Sequence, residues 1–379
     1  MTGNRILITG GSGFIGSNLA RKLIHKGYKV RILDNMSPQI HGEDYQKSEL
    51  YRSIKDIAEI VIGTVCDRQT WINAIKDIDV IVHLAAETGT GQSMYEIEQY
   101  TKVNITGTSL LLDILTNEKH SVKKIVIASS RAIYGEGKYH CSEHGDVYPT
   151  ARLDEDMQVG HFNVKCPICN KDAELMATDE ASKIHPTSVY GVTKKTQEEL
   201  CMLVGRSINI PVVVFRYQNV YGPGQSLKNP YTGILSIFST RIKNENDINI
   251  FEDGKESRDF VFIDDVVDAT ILGIEKDEAN FLCFNVGTGE ATDVLTVANT
   301  LIEKIGKHVK LHISGNYRLG DIRDNYADLS LIKNKLGFEP KVNFAEGIGG
   351  FVDWVESQEI EEDKYEVSIA EMQKKGLYK

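Results

Sequence analysis

Ile6-Leu7-Ile8-Thr9-Gly10-Gly11-Ser12-Gly13-Phe14-Ile15-Gly16 is an apolar run, then three glycines at G-x-x-G-x-x-G spacing, then the start of a helical pattern. A second apolar run, Val30-Arg31-Ile32-Leu33, ends at Asp34. The glycine spacing alone is a weak signal. With a strand before it, a helix after it and an acidic residue about twenty positions on, it reads as a dinucleotide-binding turn. Gly10 permits the tight turn, Gly13 lets backbone N–H groups approach a pyrophosphate, and Gly16 lets helix and strand pack closely. The pyrophosphate would sit at the positive end of that helix. Asp34 would bond the adenosine ribose hydroxyls and repel a 2′-phosphate, which predicts NAD rather than NADP.

The pattern continues downstream. Arg5–Ile8, Lys29–Leu33, Glu59–Ile62, Val80–His83, Lys124–Ala128 and Val212–Phe215 read as strands, with helices over Ile15–Lys26, Tyr95–Thr116 and Thr187–Arg206. Alternation of this kind predicts an α/β fold, a Rossmann-type doubly wound parallel sheet over residues 1–217. Turn-rich sequence after Tyr217 predicts a smaller substrate lobe over 218–357, with a strand near 281–286 returning to the first domain. Residues 358–379 are charged and are expected at the periphery. Glu136–Ile184 breaks the rhythm: a polar stretch this long needs something to organise it.

The 379 residues carry a net charge of −11 with no basic stripe, which argues against a nucleic-acid partner. No apolar run reaches the roughly 18 residues of a membrane span. The glycine turn begins at residue 10, which leaves no room for a secretory leader, so a cytoplasmic chain is expected. An anionic ligand must then be held by a few placed arginines.

Tyr190-Gly191-Val192-Thr193-Lys194 puts a phenol and an ammonium four residues apart on one helix face. A free phenol titrates near 10. A nearby ammonium and a cationic nicotinamide ring would lower it, making Tyr190 a general base toward a hydroxyl. Ser129 and Ser130 follow the strand Lys124–Ala128, at the carboxyl edge where such sheets bind ligands. Ser130 can serve the same substrate oxygen as Tyr190.

On these residues the chain resembles the extended short-chain dehydrogenase/reductases of the nucleotide-sugar epimerase/dehydratase type, over nearly all of 4–350. The resemblance implies a catalytic set of Ser130, Tyr190 and Lys194. It implies cofactor contacts at Phe14, Ile15, Asn35, Asp67 (at the adenine), Leu84, Ala85, Ala86, Asn104 and Ser129, beside the three glycines and Asp34. Arg216-Tyr217-Gln218-Asn219-Val220-Tyr221-Gly222-Pro223, Ser257-Arg258-Asp259-Phe260-Val261 and Arg318-Leu319-Gly320-Asp321 are similar to the family's substrate motifs. They imply that Asn219, Arg258, Arg318 and Asp321, with Ser130 and Arg131, hold a nucleotide-diphosphate sugar. A homodimer, its helices Tyr95–Thr116 and Thr187–Arg206 paired across a two-fold axis, is also implied.

Family dehydratases carry an Asp-Glu pair directly after the catalytic hydroxyl residue, where this chain has Arg131 and Ala132. Water elimination therefore lacks its acid and base, and a 4-epimerase that keeps NAD bound is expected. A nucleotide-sugar decarboxylase, a 4-ketoreductase and a non-catalytic NAD-binding sensor remain as alternatives. Within the polar stretch, Cys141-Ser142-Glu143-His144 and Cys166-Pro167-Ile168-Cys169 pair C-x2-H with C-x2-C. Four such ligands suit a closed structural zinc site that would organise the insert 136–184. His140 stands as an alternative to His144.

Overall fold

A computed structural model describes residues 4–229, 231 and 233–379. Seven strands form one parallel sheet: β1 (Arg5–Thr9), β2 (Lys29–Asp34), β3 (Glu59–Ile62), β4 (Val80–His83), β5 (Lys124–Ser130), β6 (Val212–Tyr217) and β7 (Leu282–Val286). Their order is β7-β6-β5-β4-β1-β2-β3, which puts the doubly wound switch between β1 and β4. Alternate side chains of β1 serve opposite faces. Ile6 and Ile8 join one apolar cluster with Leu19, Leu23 and Phe215, and Leu7 joins a second with Leu111, Ile125 and Val214. Such a strand must be apolar on both faces, and β1 reads as an unbroken apolar run for that reason.

Helices cover both faces. α1 (Phe14–His25) and α4 (Ile263–Glu275) pack against each other on one side. On the other lie α2 (Gly107–Asn117) and α3 (Val189–Ser207). A π-type turn, Thr101–Thr106, leads into α2. The smaller lobe has its own core, in which Tyr221, Phe238, Ile250, Phe260, Leu301 and Phe351 are buried together. The chain crosses between lobes more than once: β7 pairs with β6, and Ile332, Leu336 and Phe338 lie on the first lobe's core.

Two differences from the sequence pattern bear on the cleft. β5 runs two residues beyond Ala128, because Ser129 and Ser130 continue the pairing with Arg216 and Tyr217. The stretch after Gln358 is not peripheral. Its helix α5 (Tyr365–Lys374) buries Tyr365, Ile369 and Met372 beside Phe251 and Ile237. No helix among the described residues is long and apolar enough to cross a membrane.

Two glycine substitutions test the packing. A Cβ on Gly16 would stand 2.4 Å from the Gly10 carbonyl oxygen and 2.6 Å from Gly11 Cα, both backbone atoms that cannot step aside. Gly16→Ala should destabilise the protein by about 1–3 kcal/mol. Gly350, inside the helix Phe344–Ser357, has nothing within 4 Å. Gly350→Ala should be neutral or stabilising by up to about 1 kcal/mol. Denaturant unfolding of both variants checks the contrast.

Candidate active site

The carboxyl edge of the sheet opens onto a single cleft of about 590 Å³ shared by both lobes. At one end Gly10 turns with φ +64°, and a Cβ there would stand 2.9 Å from Ala85 N. α1 starts at Gly13 with no side-chain cap and no acidic residue in its first turn. Its leading N–H groups are therefore free to meet an anion. Gly10, Gly13, Phe14, Ile15 and Gly16 line this end, with Leu84, Ala85 and Ala86 beyond. Asp34 and Asn35 line it too; the Asp34 carboxylate accepts from Ser12 N and Met36 N, both at 2.9 Å. A bare glycine cradle beside a fixed carboxylate fits NAD: phosphates on the amides, ribose hydroxyls at Asp34.

Two expected cofactor residues do not line the cleft. Asp67 is exposed, and its carboxylate caps the helix Arg68–Ala74 by accepting from Thr70 N and Oγ1 at 2.7 Å. Gly63, Thr64 and Val65 form the wall instead. Asn104 is buried in the π-type turn, accepts from Glu87 N at 2.8 Å and donates to Thr193 Oγ1 at 2.9 Å. It ties the Glu87–Thr90 wall to α3.

The middle of the cleft is set by a close approach. A Cβ on Gly191 would lie 2.5 Å from the Ala132 carbonyl oxygen. The first turn of α3 therefore presses onto the turn after β5, bringing Tyr190 to Ser130. Ser188 caps α3 by accepting from Gly191 N at 3.1 Å, and Tyr190 N donates to Ser93 Oγ at 3.0 Å. Ser129, Ser130, Arg131, Tyr190 and Lys194 all line the cleft. Ser129 donates to Glu198 Oε2 at 2.9 Å, and Glu198 also grips Arg216.

The electrostatics differ from the sequence expectation in one respect. Burial raises the Tyr190 phenol above its usual value, and the opposing pulls come from Ser130 and the Arg131 guanidinium. Lys194 instead donates to Gln197 Oε1 at 2.7 Å. Burial pushes Lys194 down to about 8. Gln197 in turn donates to Thr108 Oγ1 at 2.7 Å, and that hydroxyl meets His83 Nε2 at 3.0 Å.

Beyond Tyr190 and Ser130, positive charge converges. Arg131, Arg258 and Arg318 line the cleft with Asn219 and Asp321. Arg131 Nε donates to Asn219 Oδ1 at 2.9 Å. Arg258 is braced by three backbone carbonyls at 2.8 Å, and Arg318 donates to Asp321 Oδ2 at 2.7 Å. Burial, and then the Arg258 cation, push Arg131 down to about 9. Guanidinium groups crowded enough to disfavour one another suit a dianionic diphosphate.

The insert folds as a small three-stranded sheet, Tyr139–Cys141, Gly145–Val147 and Glu174–Leu175. The ligand atoms of Cys141, His144, Cys166 and Cys169 lie within 4.8 Å of one another. Cys141 Sγ is 3.7 Å from Cys169 Sγ and 3.5 Å from His144 Nδ1, and Cys166 Sγ is 3.7 Å from the same nitrogen. Metal–ligand bonds of ~2.3 Å give a tetrahedron with edges of about 3.8 Å, so the donor set fits zinc. His140 is exposed and turned to Asp146. The insert also touches the substrate end. Arg152 makes a two-pronged pair with Glu252 at 2.7 Å and donates to Asp321 O at 3.2 Å, while Tyr317 donates to Asp154 at 2.6 Å.

Lining residues outside the motifs include Thr88, Phe251, Tyr365 and Met372. The helical spacing of Tyr365, Ser368, Ile369 and Met372 is a signal that could have revealed α5.

Lys194 gives a pH test. Its folded value, about 8, lies below the ordinary lysine value. Below pH 8 it is charged in both states and its burial costs stability. Between pH 8 and 10.5 the folded state sheds a proton that the unfolded chain keeps, so stability rises with pH. Lys194→Met should therefore be the more stable protein at pH 7, with the gap closing by pH 10. Urea unfolding at both values checks this, since the tyrosines titrate alike in the two proteins.

With that geometry in view, the chain compares with known proteins as follows. The model of the "NAD dependent epimerase/dehydratase family" matches residues 6–153 and 166–287. The dTDP-L-rhamnose 4-epimerase of Burkholderia thailandensis is 35% identical over 361 residues, 95% of this chain and 96% of that protein. The UDP-glucose 4-epimerase of Thermotoga maritima, solved with UDP-glucose, is 30% identical with a TM-score of 0.74, covering 93% of this chain and 99% of that one. The UDP-glucuronic acid 4-epimerase of Bacillus cereus, solved with UDP-glucuronic acid and NAD, is 25% identical with a TM-score of 0.75, at the same coverages. The match interrupts only inside the Cys/His insert, and the chain belongs to the NAD-dependent epimerase/dehydratase family.

Proposed function

We propose that the protein is a nucleotide-sugar 4-epimerase that keeps its NAD. One observation carries the reading: a half-buried phenol, Tyr190, and the Ser130 hydroxyl line one cleft with a dinucleotide cradle and three guanidinium groups. Bound NAD supplies reversible hydride acceptance at the sugar 4-carbon. Tyr190, as phenolate, takes the 4-hydroxyl proton and later returns it, and Ser130 bonds the same oxygen. Arg131, Arg258, Arg318 and Asn219 hold the diphosphate while the 4-keto sugar turns between its two faces. Binding energy far from the reacting carbon provides the positioning.

Arg131 and Ala132 in the dehydratase acid–base positions speak against water elimination. Asp34 in the cofactor wall speaks against a 2′-phosphate. The substrate we favour is a dTDP-linked 6-deoxyhexose of the rhamnose type, supported by likeness to the Burkholderia enzyme over nearly the whole chain. The Cys141, His144, Cys166 and Cys169 set holds a structural zinc, since four protein ligands leave no open position. A reducing compartment, the cytoplasm, keeps these thiols available as ligands; none is in a disulfide. Exposed Ile97, Val192 and Leu203 on the α2–α3 side support a homodimer built there.

Purified protein should convert a UDP- or dTDP-hexose to its 4-epimer with no added cofactor. A requirement for stoichiometric NADPH would make it a reductase, CO2 release a decarboxylase, and retained NAD with no product a sensor. Tyr190→Phe should fold, retain NAD and lose about 10²–10⁴-fold in kcat; near-normal turnover would remove Tyr190 from the chemistry. Metal analysis should find one zinc per chain, lost in Cys166→Ser with a lower Tm. A metal-free protein of full activity and stability would contradict the zinc site.

A further inference from the structure

α5 places Tyr365, Ser368, Ile369 and Met372 on the cleft. Their i, i+3, i+4, i+7 spacing makes one continuous helix face. Val367, on the other side of the helix, is 68% exposed. The start of this helix is anchored to the smaller lobe and its end to both lobes. At its start Arg241 lies 4.3 Å over the Tyr365 ring and pairs with Asp363 at 3.3 Å and Glu366 at 3.1 Å. Near its end Tyr231 donates to Glu371 at 2.6 Å, and the Lys375 ammonium lies 5.4 Å over the Tyr95 ring. The Met372 sulfur lies 3.6 Å from where a Cβ on Gly91 would stand.

The helix therefore runs lengthwise along the cleft. Tyr365 lies near Phe251, Asn249 and Arg318. Met372 lies beside Thr90 and Gly91, in the short helix whose Ser93 holds Tyr190 N. From Tyr365 to Met372 the rise is about 10 Å, enough to follow a bound ligand from its phosphates to its sugar. The residues after α5 then brace the arginine: Tyr317 and Lys379 exchange backbone hydrogen bonds at 2.9 and 3.0 Å, and Leu319 N donates to Leu377 O at 2.9 Å. Arg318 thus sits in a backbone pairing that this segment completes.

We propose that α5 is the wall that reads the sugar. Ile369 and Met372 contact the hexose of the bound nucleotide sugar, favouring a ring that turns C–H or methyl surface toward them and disfavouring one that turns a carboxylate. A 6-deoxyhexose suits such a wall. A hexuronate would leave its charge desolvated against two apolar side chains with no partner. The inference rests on the reading that the cleft takes a nucleotide-diphosphate sugar.

The test compares the wild type with Ile369→Asp, Met372→Lys and Val367→Lys by calorimetric Kd and steady-state KM. The ligands are a dTDP-6-deoxyhexose and a UDP-hexuronate, and NAD content and Tm are followed alongside. Ile369→Asp and Met372→Lys should keep NAD and fold, while binding the 6-deoxyhexose at least tenfold more weakly. Met372→Lys should shift the ratio of the two Kd values toward the hexuronate at least tenfold. Val367→Lys, on the solvent face, should change neither. Folded Ile369→Asp and Met372→Lys proteins with wild-type Kd values for both ligands would overturn the proposal. If the wild type binds these ligands without turning them over, the epimerase reading fails while the Kd comparison still decides the wall. If it binds neither ligand, both fall.

Discussion

The contact between Gly191 and the Ala132 carbonyl governs the site. Only a residue without a side chain lets the first turn of α3 lie directly on the turn that ends β5, and that contact sets Tyr190 beside Ser130. Around it, each element supports the approach from a different side. Ser188 caps the helix, Ser93 holds the Tyr190 backbone, and Asn104 links Thr193 to the wall at Glu87. Glu198, one turn beyond Lys194, joins Arg216 and Ser129. The backbone that carries the phenol is thus held from several sides.

Electrostatics complete the division of labour. A chain of net charge −11 concentrates three guanidinium groups in one cleft. Arg131 acts on Tyr190 and bonds Asn219 on the neighbouring short strand. Lys194 stands apart from this field, bonded to Gln197. The Cys/His insert is part of the same design. Arg152 carries its influence to Glu252 and to the backbone of Asp321, so the fold around the Cys/His cluster stands behind the turn that bears Arg318.

Most of the sheet was readable because parallel strands buried on both faces must be apolar throughout, and Arg5–Thr9 or Val80–His83 stand out as such runs. The glycine turn was readable because its spacing is dictated by backbone approach. Ser129 and Ser130 were placed just past the strand, since hydroxyl side chains end an apolar run even where the ladder continues. Asp67 shows the limit of position alone: one of its carboxylate oxygens caps the following helix, and the side chain lies outside the cleft lining. α5 escaped notice because abundant charge on its outer face masks the Tyr365–Ser368–Ile369–Met372 stripe. The choice between Lys194 and Arg131 as the cation acting on Tyr190 depends on side-chain direction, which spacing does not encode.

The most direct measurement follows the hydrogen on the sugar 4-carbon. A nucleotide sugar carrying deuterium at C4 is incubated with the protein in ordinary water, and its unlabelled form in D2O, with no added cofactor. Hydride return from a retained acceptor predicts that the label stays at C4 of the inverted product and that no solvent deuterium enters there. Loss of the label to water, or solvent deuterium at C4, would contradict the account.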